Sequence, residues 1–284
     1  MNFEAALNDL IKNALAEDNG DGDHSTLSTI NAEANGKAVL KIKQDGILAG
    51  MEVAEAIFRF VQPDVTFTAF KKDGDLMAFG ETAFEVSAKV HTILTCERLV
   101  LNIMQRMSGI ATLTKKYVDK LNGFTTKLLD TRKTTPNFRL LEKAAVKIGG
   151  GTNHRFGLYD MIMLKDNHID YSGGIENAIN NAYEYVQQNN LNLKIEVETR
   201  SLEDVEKVMM VGKVNVIMLD NFTPEKIVEA LKIIDGKYQT EASGGINLDN
   251  IESYAATGVD FISSGAVIHQ AVSLDLSLKA IIVH

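Results

Sequence analysis

The chain has 284 residues, of which 45% are hydrophobic and 24% charged, and a formal net charge of −9. That composition excludes a largely disordered chain and argues against nucleic acid as a partner; no apolar run reaches the ~18 residues that suggest a membrane span. The single cysteine, Cys96, excludes an internal disulfide framework and a cysteine-based zinc site, and it fits a reducing, cytoplasmic setting.

Residues 1 to about 20 carry Phe3, Leu7, Leu10, Ile11 and Leu15 near helical spacing, unlike the basic start and greasy middle of a signal peptide. "GKAVLKIKQDGILAG" (36–50) alternates as a strand does, turns at Asp45-Gly46, and leads into a helix near Met51 to Val61. Residues 65–90 alternate again around a turn signal at Asp73-Gly74, and a long helical stretch runs from about His91 to Asn122. The first hundred or so residues therefore read as mixed α+β. After Gly123 the rhythm changes. "TTKLLDT", "MIMLKDN", "LKIEVET", "VNVIMLDN", "YQTEASGG" and "DFISSGAV" are short apolar runs separated mostly by helical patterns. Strands apolar on both faces that alternate with helices indicate a parallel sheet covered by helices. Six such strands suggest a barrel without establishing an eight-stranded closure.

Each run ends in residues foreign to a core: Asp130, Lys165, Glu198, Asp220-Asn221, Ser243-Gly244-Gly245 and Ser263-Ser264-Gly265. In parallel α/β barrels the C-terminal strand ends meet at one mouth, where the chemistry takes place. Charge gathers in the same region. Residues 130–168 hold seven cations against four acids, a net +3 that leaves −12 for the rest of the chain. Glu142, Lys143 and Lys147 read as a solvated helix face; Arg132, Lys133, Arg155 and Lys165 lie beside strand ends and turns instead. With His154 they supply positive charge and forked donors for carboxylates and phosphates. Glu198 and Asp220, at successive strand ends, suit Mg²⁺ held jointly with a phosphorylated ligand. "ASGG" and "SSGA" present small residues before helix N-termini on the last two strands, where barrels commonly hold a phosphate. The "GGG" at 149–151 most simply ends a helix.

"DTRKTTPNFR", "KIGGGTNHRFGLYDMIMLKDNH", "IEVE", "IMLDNF", "EASGGI" and "FISSGA" together resemble the quinolinate phosphoribosyltransferase family, also called nicotinate-nucleotide pyrophosphorylase (carboxylating). The likeness extends to "ALAEDNGDGDHST" and "CERLVLNIMQRMSGIAT" and covers nearly the whole chain in order. It implies an N-terminal α+β (open sandwich) domain over 1–110, rejoined by the tail 272–284, and an incomplete parallel, TIM-like α/β barrel over 111–271. It also implies conversion of quinolinate and phosphoribosyl pyrophosphate to nicotinate mononucleotide, pyrophosphate and CO₂ with Mg²⁺, in a homodimer with shared sites.

By family role, Arg132, His154, Arg155 and Lys165 surround the quinolinate carboxylates, and Arg98 reaches in from the other subunit. Lys133 and Lys165 touch phosphoribosyl pyrophosphate, and Glu198 and Asp220 face its ribose and metal. Ser243, Gly244, Gly245, Ser264, Gly265 and His269 hold the 5′-phosphate. Departures from the family pattern are Lys147 for an arginine, Ala144 for an aromatic and Asn137 for a glycine. Three other readings use the same residues: a relative of this fold from molybdenum-transport loci, a Schiff-base aldolase built on Lys165, and a non-catalytic phosphate-binding barrel.

Overall fold

The computed structural model describes residues 2–281, so of the expected tail 272–284 the last three residues lie outside the described part. Two compact units emerge. Among the described residues, the first comprises 2–115, 134–150 and 268–281; the second comprises 116–133 and 151–267.

The first unit is built on a four-stranded antiparallel sheet. Asn35–Ile42 pairs with Leu276–Ile281 on one side and with Thr82–Lys89 on the other, and Thr66–Ala69 pairs with the outer edge of Thr82–Lys89. Alternation in Asn35–Ile42 sends Ala38, Leu40 and Ile42 inward, as a strand with one solvated face requires. Helix Phe3–Asn19 starts at Asn2, whose side chain accepts from the Glu4 amide at 3.0 Å, and it buries Leu7, Ile11 and Leu15 along one stripe. The helix Met51–Val61 adds Phe58 to a cluster with Phe67 and Phe84, whose ring centroids lie 4.5 to 6.3 Å apart.

A 31-residue helix, Val90–Lys120, buries Cys96, and burial pushes that thiol up to about 12. Gln105 on this helix anchors the returning C-terminal segment twice: its amide nitrogen donates to the Leu276 carbonyl (3.0 Å), and its own carbonyl accepts from Leu274 N–H (3.1 Å). Helix Arg139–Ile148 also belongs here, and it corrects the solvated-face reading. Lys147 is exposed, but Glu142 and Lys143 are fully buried. Glu142 Oε1 accepts from Arg106 Nε at 3.0 Å and Nη2 at 2.8 Å, and both its oxygens take donors from Thr135. Gly149 caps that helix. Asn137, in place of the usual glycine, adopts φ 61°, a left-handed conformation that asparagine tolerates better than most residues.

The second unit holds all six expected strands in one wholly parallel sheet. Their order is Lys127–Leu129, Phe261–Ser263, Gln239–Ser243, Val216–Asp220, Ile195–Thr199 and Ile162–Leu164. The barrel is not closed. Helices Ile175–Gln188, Leu202–Val211 and Pro224–Ile234 connect successive strands. The last two begin at Ser201 and Thr223, whose hydroxyls cap the amides of Asp204 and Lys226. Such crossovers place every strand's C-terminal end on the same side.

Candidate active site

The strand ends are polar because the apolar runs stop there, and each first polar side chain has a specific partner. After Lys127–Leu129 comes Asp130, fully buried, whose Oδ1 accepts from the His154 amide at 2.8 Å. The Asp130 amide donates to the Thr152 carbonyl at 3.1 Å, so residues 152–154 lie alongside this strand end. Arg132 and Lys133 follow, the first partly buried and the second exposed.

The turn that carries Arg155 is closed by Asp160, which accepts from the Phe156 and Gly157 amides at 2.6 and 2.8 Å. The Arg155 guanidinium donates to the Met161 carbonyl at 3.2 Å. Burial lowers its pKa, and the neighbouring Arg132 lowers it further, against the pull of Glu196 and Asp160. Both guanidinium groups are partly buried, and cations in such a place suit an anionic ligand.

Lys165 ends Ile162–Leu164. Its amide donates to His168 Nδ1 at 3.0 Å, which fixes the start of helix Asp166–Tyr171, and its Nζ lies 3.1 Å from Glu198 Oε2. Glu198 is nearly buried, whereas the Lys165 side chain is 46% exposed, so the ammonium is the accessible partner. On the adjacent strand Asp220 accepts from the Asn221 side-chain amide at 2.6 Å.

Asn221 shapes the glycine loop next to it. With φ 57° it donates its amide to the Ser243 carbonyl at 2.8 Å and lies against Gly244, where any Cβ would overlap its side chain. Gly244 at φ 97° and Gly245 at φ 65° continue a backbone open to close approach by a ligand. Gly265 precedes the short helix Ala266–His269. Ser264 is buried; its amide donates to the Leu129 carbonyl and its hydroxyl to the Ile246 carbonyl, each at 3.1 Å. Arg98 and His269 belong to the first unit, both exposed, Arg98 on the long helix and His269 at the end of Ala266–His269.

The sequence reading missed a buried group. His154 Nε2 lies 3.0 Å from Glu196 Oε2 and 3.2 Å from Glu241 Oε2, and all three side chains are at most 8% exposed. Glu196 and Glu241 interrupt the apolar runs "KIEVE" and "TEAS", each two residues before a strand-end residue already singled out, and so on the same face as Glu198 and Ser243. That period-two placement was the available signal. Burial alone would lower the His154 pKa, but hydrogen bonds and charge from the two glutamates outweigh it and raise it to about 9. Burial pushes Glu196 up to about 7, opposed by His154 and reinforced by Glu241. The Arg155 amide donates to His154 Nδ1 at 2.7 Å, and this bond needs the Nδ1 lone pair. The ring's own proton therefore sits on Nε2, between the carboxylates, and the raised proton affinity is shared between His154 and Glu196.

Two donor sets merit comparison for a cation. Glu198 and Asp220 offer only hard oxygens at strand ends, which fits Mg²⁺ shared with a phosphorylated ligand. His154, Glu196 and Glu241 bring ligand atoms within 4.8 Å of one another, but at hydrogen-bond separations.

A parallel α/β sheet with paired arginines, a lysine, two carboxylates and a glycine loop at its strand ends defines an enzyme of the incomplete-barrel class acting on small polyanions. Residues 23–108 match the model of the quinolinate phosphoribosyl transferase N-terminal domain, and residues 110–279 match that of its C-terminal domain. The chain belongs to the quinolinate phosphoribosyltransferase family. It is 44% identical to the chloroplastic nicotinate-nucleotide pyrophosphorylase [carboxylating] of Arabidopsis thaliana, over 96% of this chain and 82% of that one. The probable nicotinate-nucleotide pyrophosphorylase [carboxylating] of Bacillus subtilis is 40% identical, over 96% and 92%. Among solved structures, NadC from Streptococcus pyogenes superposes with a TM-score of 0.89 at 41% identity, covering 96% of both chains.

Proposed function

We propose that this protein transfers the phosphoribosyl group of phosphoribosyl pyrophosphate to the ring nitrogen of quinolinate, with loss of CO₂, giving nicotinate mononucleotide and pyrophosphate for de novo NAD synthesis. The observation that carries the reading is the match of residues 23–108 and 110–279 to the two quinolinate phosphoribosyl transferase domain models; the partly buried Arg132 and Arg155 supply forked donors suited to a ring with two adjacent carboxylates.

In this reading Arg132 and Arg155 hold the quinolinate carboxylates, with His154 beside them and Lys165 in reach of both substrates. Lys133 faces the pyrophosphate, and the Ser243–Gly245 loop and Gly265 receive the 5′-phosphate through backbone N–H groups. As the bond from the sugar's anomeric carbon to pyrophosphate breaks, positive charge develops on the ring oxygen and that carbon; Glu198 and Asp220 stabilise it electrostatically. The quinolinate nitrogen donates its lone pair to the anomeric carbon and becomes cationic. The adjacent carboxylate then leaves as CO₂, its bonding electrons pass to the ring carbon beside the cationic nitrogen, and a proton completes the product. No covalent enzyme intermediate is required, so positioning and fixed charge supply the catalysis. Glu198 and Asp220 would hold Mg²⁺ together with the pyrophosphate, and the ion would neutralise the leaving group.

We further propose a cytoplasmic homodimer in which the exposed Arg98 completes the site of the other subunit; no helix among the described residues is long and apolar enough to cross a membrane. Two experiments test these readings. Quinolinate labelled in its 2-carboxylate should release labelled CO₂ only when phosphoribosyl pyrophosphate is present, and release without it would defeat the proposed order of events. Inactive Arg98→Ala and Arg132→Ala proteins, mixed under conditions of proven subunit exchange, should regain activity, because hybrid dimers rebuild one intact site. No recovery would defeat the shared site.

A further inference from the structure

The family role gives His154 to the substrate, yet both its ring nitrogens are already committed within the protein. Nδ1 accepts from the Arg155 amide at 2.7 Å, and Nε2 faces Glu196 and Glu241 at 3.0 and 3.2 Å. The residue's own amide is held by the buried Asp130 at 2.8 Å. A ring fixed at both nitrogens, with its backbone fixed as well, behaves as a strut. It runs from two strands of the sheet, Ile195–Thr199 and Gln239–Ser243, to the chain segment that carries Arg155.

Two buried carboxylates on one imidazole are costly to assemble, since each loses its hydration and they repel each other. Stability alone does not account for them: apolar residues would fill the same strand positions at less cost. Their arrangement does account for a fixed Arg155. The segment 152–160 is a turn, and its guanidinium must meet a substrate carboxylate to within a fraction of an ångström for bidentate pairing. Asp160 secures the far side of that turn through the Phe156 and Gly157 amides. The His154 ring secures the near side, through the Arg155 amide itself.

We infer that Glu196 and Glu241 are positioning residues for quinolinate, acting through the His154 ring to set the Arg155 backbone and thereby the guanidinium that receives a substrate carboxylate. The inference rests on the proposed function. It assigns work to two glutamates that touch no substrate, and it recasts His154 as a support whose hydrogen bonds point into the protein.

The test begins with the wild-type protein, whose quinolinate turnover and quinolinate binding by calorimetry are measured first; failure of both would overturn the functional reading and leave the hydrogen-bond geometry untouched. Given an active wild type, Glu241→Ala and Glu196→Ala should weaken quinolinate binding and raise its KM by about 10- to 100-fold, the scale of an ångström-sized misplacement. The KM for phosphoribosyl pyrophosphate should stay within about 3-fold: Glu198 and Ser243 end the same two strands, but the backbone ladder that pairs them with Met218 and Asp220 survives a side-chain truncation. Glu241→Gln should rescue most of the loss, because its carbonyl oxygen still accepts from Nε2–H. If an alanine variant fails to fold, Glu241→Asp serves in its place: it keeps the charge, shortens the arm, and should still raise the quinolinate KM selectively.

Imidazole nitrogen NMR supplies a second readout. The His154 signal, assigned by its absence in His154→Gln, should show the Nε2–H form in the wild type and in Glu241→Gln. A purely structural role predicts activity lost in proportion to folded protein with both KM values unchanged. That result, a fall in kcat alone, or unchanged quinolinate binding in all variants would overturn the inference.

Discussion

Replacing Arg106 by alanine should destabilise the first unit more than any single surface change, and the size of the loss follows from the bonds involved. Arg106 donates through Nε and Nη2 to Glu142 Oε1 at 3.0 and 2.8 Å, and through Nη1 and Nη2 to the carbonyls of Ala271 and Ile268 at 2.8 and 2.9 Å. The Glu142 side chain is 0% exposed, whereas that of Arg106 is 23% exposed. After truncation Glu142 keeps only its two Thr135 donors, at 2.8 and 3.0 Å. Breaking one side of a buried ion pair costs about 3–5 kcal/mol, and the partial exposure of Arg106 lets water enter and argues for the lower end. At ~2 °C per kcal/mol for a chain of this size, the melting temperature should drop by about 6 °C or more. Circular dichroism at 222 nm during heating measures it. Arg106→Met combined with Glu142→Gln should recover part of the loss, because the stranded charge is gone. A Tm for Arg106→Ala within 1 °C of the wild type would refute the reasoning and show that water satisfies Glu142 unaided.

Three other outcomes follow from the same structure. Arg132→Ala should lower kcat/KM for quinolinate by about 10²–10³-fold, the scale of losing a charge-assisted bidentate contact, while its melting curve stays near that of the wild type; a large Tm drop would reassign Arg132 to the fold. Gly149→Ala should destabilise by about 1–3 kcal/mol, because its Cβ would stand 2.5 Å from the Ala111 carbonyl oxygen and 2.7 Å from Thr114 Cβ; a neutral result in thermal melts would mean the helix Arg139–Ile148 can shift at no cost. Raised pKa values in the buried group also make stability fall with pH. Glu196 contributes stability that is full below its ordinary 4.5 and lost as pH rises through about 7. Between pH 5 and 7.5 the Tm should therefore fall more steeply in the wild type than in Glu196→Gln, and equal slopes would contradict that protonation scheme.

Much of this was legible in the residues. The six parallel strands announced themselves because strands buried on both faces must be apolar throughout, and their polar ends because the runs stop at one mouth. The glycine loop was legible from "ASGG", since a backbone at φ 97° against Asn221 leaves room for no side chain at Gly244. Glu142 and Lys143 were not. On a helix of mixed composition a charge reads as solvated, and only the fold brings Arg106, thirty-six residues earlier, to Glu142. Glu196 and Glu241 were hidden for a similar reason: their partner His154 comes from a separate turn, and local pattern does not encode long-range pairing. The internal bonds of Ser264 were equally hidden: its amide and hydroxyl donate to the carbonyls of Leu129 and Ile246, both far away in sequence.

The most direct test of the central claim, that the paired arginines make this site selective for two adjacent carboxylates, is a steady-state comparison of quinolinate with nicotinate. Purified protein, phosphoribosyl pyrophosphate and Mg²⁺ would be incubated with each acid, and nicotinate mononucleotide measured in both. We predict product from quinolinate, with kcat/KM at least 100-fold above nicotinate, about the scale of one lost charge-assisted contact. Equal rates from the two acids, or product from nicotinate alone, would contradict the account.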